Sequence, residues 1–269
     1  MTHEVVVTRS GARAMLDRAT GEVMHPVVGP LVEANQLSLA PSRLAQRLAA
    51  PGEPLVLLDV GLGAGSNAIA AWQLSEARAA GRRLDIVSFD RTLSALEVAL
   101  AGENAAAFGF EAGAGAAGRA LLATGRSEGA RTSWRLVLGE LPAALDREPP
   151  GCADVVFWDP FSPRANPTLW TIAAFTALRR LVRDGATVHT YSAATATRAA
   201  LLIAGFAVGL GDPIGDKEQT TMAAVRLADV PRPLDARWLA RLARSSAPLP
   251  PDAPPDAMAR LRALPQLAG

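Results

Sequence analysis

Three glycines at alternate positions, Gly61, Gly63 and Gly65, directly follow an apolar run at residues 55–60. Glycine lets a backbone turn tightly and leaves no side chain between that backbone and a ligand. The run, interrupted only by Asp59, is typical of a strand buried on both faces in a parallel sheet. The alanine-rich stretch that follows predicts a helix whose N-terminus points at the turn. Together these features predict the nucleotide-binding corner of an α/β domain.

The spacing of these glycines narrows the class of ligand. A dinucleotide fingerprint needs a glycine or alanine three positions after Gly63, where this chain has Ser66. A P-loop needs a lysine followed by serine or threonine, and the one lysine, Lys217, lies far from the turn. The pattern D-x-G-x-G-x-G that starts at Asp59 is more like the one used for S-adenosylmethionine. A tight turn that binds nothing is the alternative, because a glycine triplet alone is a weak signal.

Two further predicted strands end in carboxylates that we expect beside the same ligand. Residues 84–89 lead into Asp90, and residues 134–138 lead through a glycine into Glu140. An ionised acid offers only acceptors, so Asp90 suits the two hydroxyls of a ribose; alternatively it caps the next helix. Glu140 suits the edge of an adenine, with a surface acid at a strand end as the alternative.

The fourth strand, residues 153–158, ends in Asp159, and here the sequence predicts chemistry. Ligands in open α/β sheets lie outside the carboxyl ends of the central strands, and this strand is expected beside the first one. Three prolines stiffen the following loop, so that Asp159, Arg164 and Asn166 are held in place. The alternative for Asp159 is a turn-initiating residue before a proline.

Strands and helices alternate through most of the chain, which predicts an α/β fold. Residues 206–210 and 221–227 predict two final strands joined as an antiparallel hairpin. Such a hairpin after five β/α units suits a Rossmann-like class I methyltransferase with seven strands in a mostly parallel sheet. Residues 108–132, rich in glycine, alanine and arginine, predict a partly helical excursion.

Three segments are expected along the chain. Residues 1–50 predict a hairpin and a helical cap, with a helix that starts at residue 31 and continues past Pro41 to residue 48. Residues 51–228 form the main domain, and residues 229–269 form a proline-rich helical tail.

Composition excludes several classes of protein. The 269 residues carry a net charge of +1, so charge alone does not argue for nucleic acid, although all but one of the 27 basic residues are arginines. The single cysteine and the three scattered histidines show no metal-ligand spacing, so we expect no metal. With no secretory signal and no apolar run long enough to span a bilayer, the sequence predicts a cytoplasmic protein that does not associate with a membrane.

Residues from about 10 to 225 resemble the methyltransferase domain of the bifunctional tRNA 5-methylaminomethyl-2-thiouridine biosynthesis proteins. The resemblance is strongest to stand-alone relatives that lack the flavin (FAD) oxidoreductase half. Its most specific part is DVVFWDPFSPRANPTLWTIAAF at residues 154–175, which is similar to D-x-x-F-x-D-G-F-x-P-x-x-N-P-x-M-W. GLGAGSN at residues 61–67 is similar to G-F-G-T-G-x-N, and GEVMHPVVGPLVEA at residues 21–34 to G-E-x-Y-H-S-x-x-G-A-x-x-E-A.

The resemblance implies the composition of the site. It implies that S-adenosylmethionine is the cofactor and that Asp159 is the catalytic residue. The residues implied to bind this cofactor are Gly61, Gly63, Gly65, Asn67, Asp90 and Glu140. The residues expected to bind the substrate, two implied by the resemblance and three taken from the loop after Asp159, are Glu33, Lys217, Phe161, Arg164 and Asn166.

The resemblance further implies N-methylation of the aminomethyl group of a modified wobble uridine, with tRNA as the partner. The chain departs from the family pattern at Met24, at Pro26, at Asp90, at Glu140 and at Pro160, which replaces a glycine. Pro160 removes an N–H beside the reacting centre, so the departures affect the substrate more than the cofactor. Two alternatives are a methyltransferase acting on another amine or small molecule, and a cofactor-binding interaction protein with a decayed active site.

Overall fold

The protein is described here from a computed structural model, which covers residues 2–8, 10–25, 28–110, 112–212 and 219–268. The strands are β1 His3–Val7, β2 Arg13–Asp17, β3 Glu22–Met24, β4 Leu55–Val60, β5 Leu84–Asp90, β6 Arg126–Glu128, β7 Thr132–Leu138, β8 Ala153–Trp158, β9 Val182–Thr190, β10 Ala207–Gly211 and β11 Thr220–Ala224. The α-helices are α1 Pro30–Ala34, α2 Leu44–Ala49, α3 Ser66–Glu76, α4 Ser94–Leu100, α5 Asn104–Ala107, α6 Ala112–Thr124, α7 Ile172–Leu181, α8 Thr195–Ile203, α9 Ala236–Leu242 and α10 Ala257–Arg262.

Eight strands form the main sheet in the order β10-β11-β9-β8-β4-β5-β7-β6. The glycine-turn strand β4 lies near the middle and pairs in parallel with β5 and β8, with Leu57 opposite both Ile86 and Val155. At one end of the sheet, β10 and β11 form an antiparallel hairpin, and β11 also pairs antiparallel with β9. The predicted α/β fold, with a mostly parallel sheet and a C-terminal antiparallel hairpin, is therefore confirmed.

The eighth strand, β6, was not predicted. It pairs antiparallel with β7 at the edge of the sheet, with Ser127 opposite Trp134. Its three residues are polar and only Ser127 is buried, so the strand has no apolar alternation that a sequence could reveal. The helical part of the predicted excursion is present as α6.

Side chains alternate across the sheet and form a core layer on each face. Leu57 of β4 contributes to the layer that contains α3, α4 and α6, whereas Leu58 contributes to the layer that contains α7 and α8. Each layer is centred on aromatic residues: Trp134 lies 6.2 Å from Trp72, and Trp158 lies 5.1 Å from Phe175, between ring centroids. The two layers fix β4 and β8 rigidly, and with them the residues at their carboxyl ends.

The N-terminal strands form a small antiparallel sheet in the order β1-β2-β3. The prediction of one helix through Pro41 is wrong. Helix α1 passes into a π-helical turn, Asn35–Leu39, and α2 begins only after Arg43, whose backbone is left-handed with φ 52°. Proline lacks the N–H that a continuous helix needs, which explains the interruption.

The segment from residue 229 onward packs onto the α7 and α8 layer. Leu242 of α9 and Leu261 of α10 are fully buried in that layer. The Asp252 carboxylate accepts hydrogen bonds from the first amides of α7, Ile172 N at 3.0 Å and Ala173 N at 2.9 Å. The division of the chain into three domains stays a prediction. In the described part of the chain, no helix is both long and apolar enough to cross a bilayer.

Candidate active site

A cavity of about 730 Å³ lies at the carboxyl ends of β4, β5, β7 and β8. The glycine turn and the loop after Asp159 line it, and so do Glu22 of the N-terminal sheet and His25, which follows that sheet. Pockets for small-molecule ligands have volumes of roughly 300–1,000 Å³. The cavity is therefore large enough for a nucleoside cofactor.

The glycine turn first allows elements of the chain itself to approach one another. A Cβ on Gly61 (φ 93°) would lie 2.9 Å from the Asp159 carbonyl oxygen and from the Pro160 Cα, so glycine is required for this contact. A Cβ on Gly65 (φ 86°) would meet Leu96 at 2.9 Å. Gly61 and Gly63 line the cavity, whereas Gly65 supports the packing of α3. That all three bind the cofactor stays a prediction.

Asp90 lies at the end of β5 and forms hydrogen bonds both to the glycine turn and to the residues that precede α4. Its Oδ2 accepts the Gly63 N–H at 2.9 Å, and its Oδ1 accepts the N–H groups of Arg91 at 2.7 Å and Thr92 at 3.3 Å. Burial raises the pKa of this carboxyl, and the three amides partly offset that effect. Asp90 therefore organises the turn before α4 and also lines the cavity; its contact with a ribose stays a prediction.

Asp159 lies directly after β8, with its N–H bonded to the Val60 carbonyl at 2.9 Å. Its Oδ2 accepts a hydrogen bond from the Asn67 side-chain amide at 2.7 Å, and the His25 Nε2 lies 3.5 Å from the same oxygen. Asn67, predicted to bind the cofactor, is thus placed where it holds the predicted catalytic carboxylate.

The loop after Asp159 is held by two aromatic residues. The Tyr191 hydroxyl donates to the Pro160 carbonyl at 3.0 Å, and the Trp170 indole N–H donates to the Phe161 carbonyl at 2.9 Å. Burial raises the pKa of Tyr191, and the negative charges of Asp159 and Glu22 raise it further. The hydroxyl therefore remains a donor, and the loop keeps its position.

A second acid, Asp59, entered the sequence analysis only as an interruption of the strand and as the first residue of the glycine pattern, and its burial was not predicted. Its side chain is 1% exposed, and it accepts the Ser88 hydroxyl at 2.7 Å, while the Trp134 indole donates to Ser88 at 2.9 Å. Desolvation raises the pKa of Asp59 to about 7, against the Ser88 hydrogen bond, and the charges of Asp159 and Asp90 add to the rise. The signal was available: an acid inside a doubly buried strand has to be paired or protonated.

The predicted substrate residues are divided between the cavity and the surface. Phe161 and Asn166 line the cavity, and so does Glu33, which is 5% exposed and accepts the Val28 N–H at 3.0 Å. The Arg164 side chain is 81% exposed and lies 3.8 Å from Glu22, outside the lining. Lys217 lies outside the described residues.

Glu140, predicted to bind the adenine, lines the cavity as an exposed side chain after β7. Sequence reasoning missed Glu22, whose carboxylate accepts the Ser162 N–H at 2.9 Å and also the Ser162 hydroxyl. This contact joins β3 to the loop after Asp159 across 140 residues. No local sequence pattern predicts a contact between residues that lie so far apart in the chain.

The cavity is strongly acidic. Among the described residues that line it, one arginine, Arg91, faces six carboxylates: Asp17, Glu22, Glu33, Asp90, Glu140 and Asp159. A cleft lined by one sign of charge concentrates ligands of the opposite sign. The cavity therefore suits cationic ligands, such as a sulfonium or an amine.

A family model described as S-adenosyl-L-methionine-dependent methyltransferase matches residues 121–226, which include β7 to β11 and the Asp159 loop. The chain is an S-adenosylmethionine-dependent methyltransferase. The predictions of the enzyme class and of its cofactor are confirmed.

The sequence relatives of this methyltransferase are longer proteins. It is 35% identical over 226 residues to the tRNA 5-methylaminomethyl-2-thiouridine biosynthesis bifunctional protein MnmC of Pseudomonas aeruginosa (strain UCBPP-PA14), covering 76% of this chain and 32% of the relative. It is 32% identical over 243 residues to the protein of that name from Ectopseudomonas mendocina, covering 84% and 35%. The chain thus spans about a third of the length of these relatives. The predicted resemblance is confirmed.

Solved structures support the fold of the methyltransferase. MnmC2 from Aquifex aeolicus superimposes with a TM-score of 0.72 at 24% identity, over 92% of this chain and 77% of that one. A probable spermidine synthase from Corynebacterium glutamicum superimposes with a TM-score of 0.50 at 12% identity, over 83% and 77%.

The residues of this methyltransferase fit its cofactor. Gly63 lines the cavity without a side chain, and Asp90 beside it presents a carboxylate, as a ribose with two hydroxyl donors requires. The acidic lining complements the sulfonium and the ammonium group of S-adenosylmethionine. Among the residues that the structure describes, no group of three or more His, Cys, Asp or Glu is arranged to hold a metal ion.

Proposed function

We propose that this methyltransferase methylates the nitrogen of the aminomethyl group on a modified wobble uridine of tRNA. The observation that carries the proposal is the acidic cavity, in which Asp159 is held by Asn67 at the carboxyl end of β8. An amine acceptor is cationic near neutral pH, and six carboxylates against one arginine favour it. The names of the relatives, which specify tRNA 5-methylaminomethyl-2-thiouridine biosynthesis, supply the nucleoside.

The cofactor supplies an electrophilic methyl group on a sulfonium. The acceptor amine must present a lone pair along the axis of the breaking bond, and a protonated amine has none. Asp159 accepts a hydrogen bond from the amine, orients its lone pair and takes or relays the proton that nitrogen loses. Positioning of the two ligands and exclusion of water supply the remaining acceleration.

The other predicted residues divide between the two ligands. Gly61 and Gly63 of the turn bind the cofactor together with Asp90, which holds the ribose, and Glu140, which lies beside the adenine, while Gly65 acts through the packing of α3. Phe161, Glu33 and Asn166 face the acceptor. Arg164 at the rim contacts the tRNA backbone. Each assignment is part of the proposal.

The test is transfer of labelled methyl groups from S-adenosylmethionine to bulk tRNA from cells that lack the wobble-uridine methyltransferase. We expect one labelled nucleoside, methylated on the exocyclic nitrogen. Bulk tRNA from cells that possess the enzyme is the control and should take up little label, because its sites are already methylated. Equal labelling of both samples, or no labelling of either, contradicts the proposal and leaves another amine as the acceptor.

A further inference from the structure

His25 directly follows β3 and has a left-handed backbone with φ 53°. A left-handed backbone strains a residue other than glycine, because its Cβ comes too close to the following carbonyl oxygen. Among the described residues that are not glycine, only His25 and Arg43 have positive φ. Strain of this kind persists where the surroundings enforce it, and it clusters at functional sites.

The strained backbone places the His25 ring in the cavity. Its side chain is 13% exposed, and its Nε2 lies 3.5 Å from the Asp159 Oδ2, the oxygen that Asn67 also approaches. That separation is longer than a good hydrogen bond, and hydrogen bonds of this kind often shorten only when substrate is bound. A small movement of the ring would bring the two groups into contact.

Neither ring nitrogen of His25 has a hydrogen-bond partner within the part of the chain that the structure describes. A buried polar group left without a partner destabilises the fold, because it has given up its hydrogen bonds to water. A histidine that served packing alone would combine this cost with backbone strain and gain nothing from either. The two features together point to a group that reacts with a ligand.

The reaction needs such a group. An acidic cavity attracts an amine in its protonated form, which has to lose a proton before it can attack. An imidazole is a stronger base than a carboxylate. In the cavity lining, His25 is the imidazole beside the catalytic carboxylate.

We propose that His25 is a second catalytic residue of the methyl transfer, whose Nε2 takes the proton from the acceptor amine while Asp159 orients the amine and then pairs with the imidazolium. This inference rests on the proposed function. The ammonium gives one proton to Nε2, and the freed lone pair forms the bond from nitrogen to the methyl carbon. The electron pair of the carbon–sulfur bond stays on sulfur, which becomes a neutral thioether. The imidazolium later releases its proton to solvent.

The test uses His25→Gly, because glycine relieves the left-handed backbone and leaves a space beside Asp159. Arg43→Gly is the matched control: it relieves the same backbone strain at a position outside the cavity lining. His25→Asn is a second variant, since asparagine tolerates the left-handed region and keeps a polar side chain that cannot take a proton. Single-turnover methyl transfer to the undermethylated tRNA and calorimetric titration with S-adenosylmethionine are measured for each protein.

We expect both His25 variants to slow methyl transfer by about 10² to 10³ while cofactor affinity stays within about threefold, because a positioned base contributes roughly 10² to 10⁴. Imidazole added to His25→Gly should restore the rate by about tenfold or more, whereas pyrazole, of the same size and far less basic, should not. Arg43→Gly should react like the wild type.

A His25→Gly rate within about threefold of wild type would show that His25 is not a base in the reaction, while leaving the proposed function intact. Equal rescue by imidazole and pyrazole would also overturn this role, because it would show that His25 only fills space. If the wild type itself transfers no methyl group to this tRNA, the proposed function falls and the inference falls with it.

Discussion

Gly63, which we propose to bind the cofactor, lines the cavity. Its N–H donates to Asp90, and a Cβ at this position would lie 3.0 Å from the Sδ of Met24, which also lines the cavity. Gly102 has nearly the same φ, 51° against 52°, but a Cβ there would meet nothing within 4 Å. The two glycines therefore share a backbone conformation and differ in surroundings.

We expect Gly63→Ala to weaken S-adenosylmethionine binding by about tenfold or more, or about 1.4 kcal/mol, because the added methyl meets Met24 in the cavity lining and forces that lining to rearrange. Gly102→Ala should lose stability through the same left-handed strain, about 1–2 kcal/mol, with unchanged cofactor affinity. Calorimetric titration and urea denaturation of both variants check this. Equal affinities of the two would show that the turn does not contact the cofactor.

The raised pKa of Asp59 gives a second prediction for a single residue. Because the folded protein holds this proton up to about pH 7 and the unfolded chain releases it near pH 3.8, stability is highest below the lower value. It is lost as the pH rises through the window between the two values. A shift of this size corresponds to at most about 4 kcal/mol.

Asp59→Asn cannot titrate and keeps an oxygen that can accept the Ser88 hydroxyl. Its free energy of unfolding should therefore fall less than that of the wild type between pH 4 and pH 8, as measured by urea denaturation at each pH. If the free energy of unfolding changes with pH in the same way for the two proteins, the pKa of Asp59 is not raised by folding.

At the scale of elements, buried parallel strands were the easiest to predict. The sequence predicts β4 and β8 with the same bounds that the structure shows, because strands buried on both faces are continuous apolar runs. The edge strand β6 and the break after α1 could not be predicted in this way, since one has no apolar pattern and the other depends on Pro41 and a left-handed Arg43.

Asp252, in the segment from residue 229 onward, caps the N-terminus of α7, so its substitution shows how much this segment stabilises the helix. Asp252→Ala removes the acceptor of two amide hydrogens and should cost about 0.5–2 kcal/mol of unfolding free energy, with cofactor affinity unchanged. Asp256→Ala, which removes an exposed ion pair with Arg260 four residues away, is the control and should cost about 0.3–0.5 kcal/mol. Similar losses in the two variants would mean that the tail does not stabilise α7.

In the molecule as a whole, the cavity is lined by elements that lie far apart in the chain. The sequence predicted Asp159, Asp90 and the glycine turn, because each of them follows a predicted strand and the carboxyl ends of those strands meet. It could not predict the contacts of Glu22 and His25, which depend on how the N-terminal sheet folds over the Asp159 loop.

We propose that Asp159 acts on the acceptor amine and not on the cofactor. The single-turnover rate of Asp159→Asn on undermethylated tRNA, measured together with its affinity for S-adenosylmethionine, tests this role. The asparagine keeps the shape of the side chain and loses its basicity, so the rate should fall by about 10² to 10⁴ while the affinity stays within a few fold. The deficit should shrink at higher pH, where solution itself deprotonates the amine. A variant that reacts at the wild-type rate, or one that loses cofactor binding instead, would show that Asp159 does not act on the acceptor.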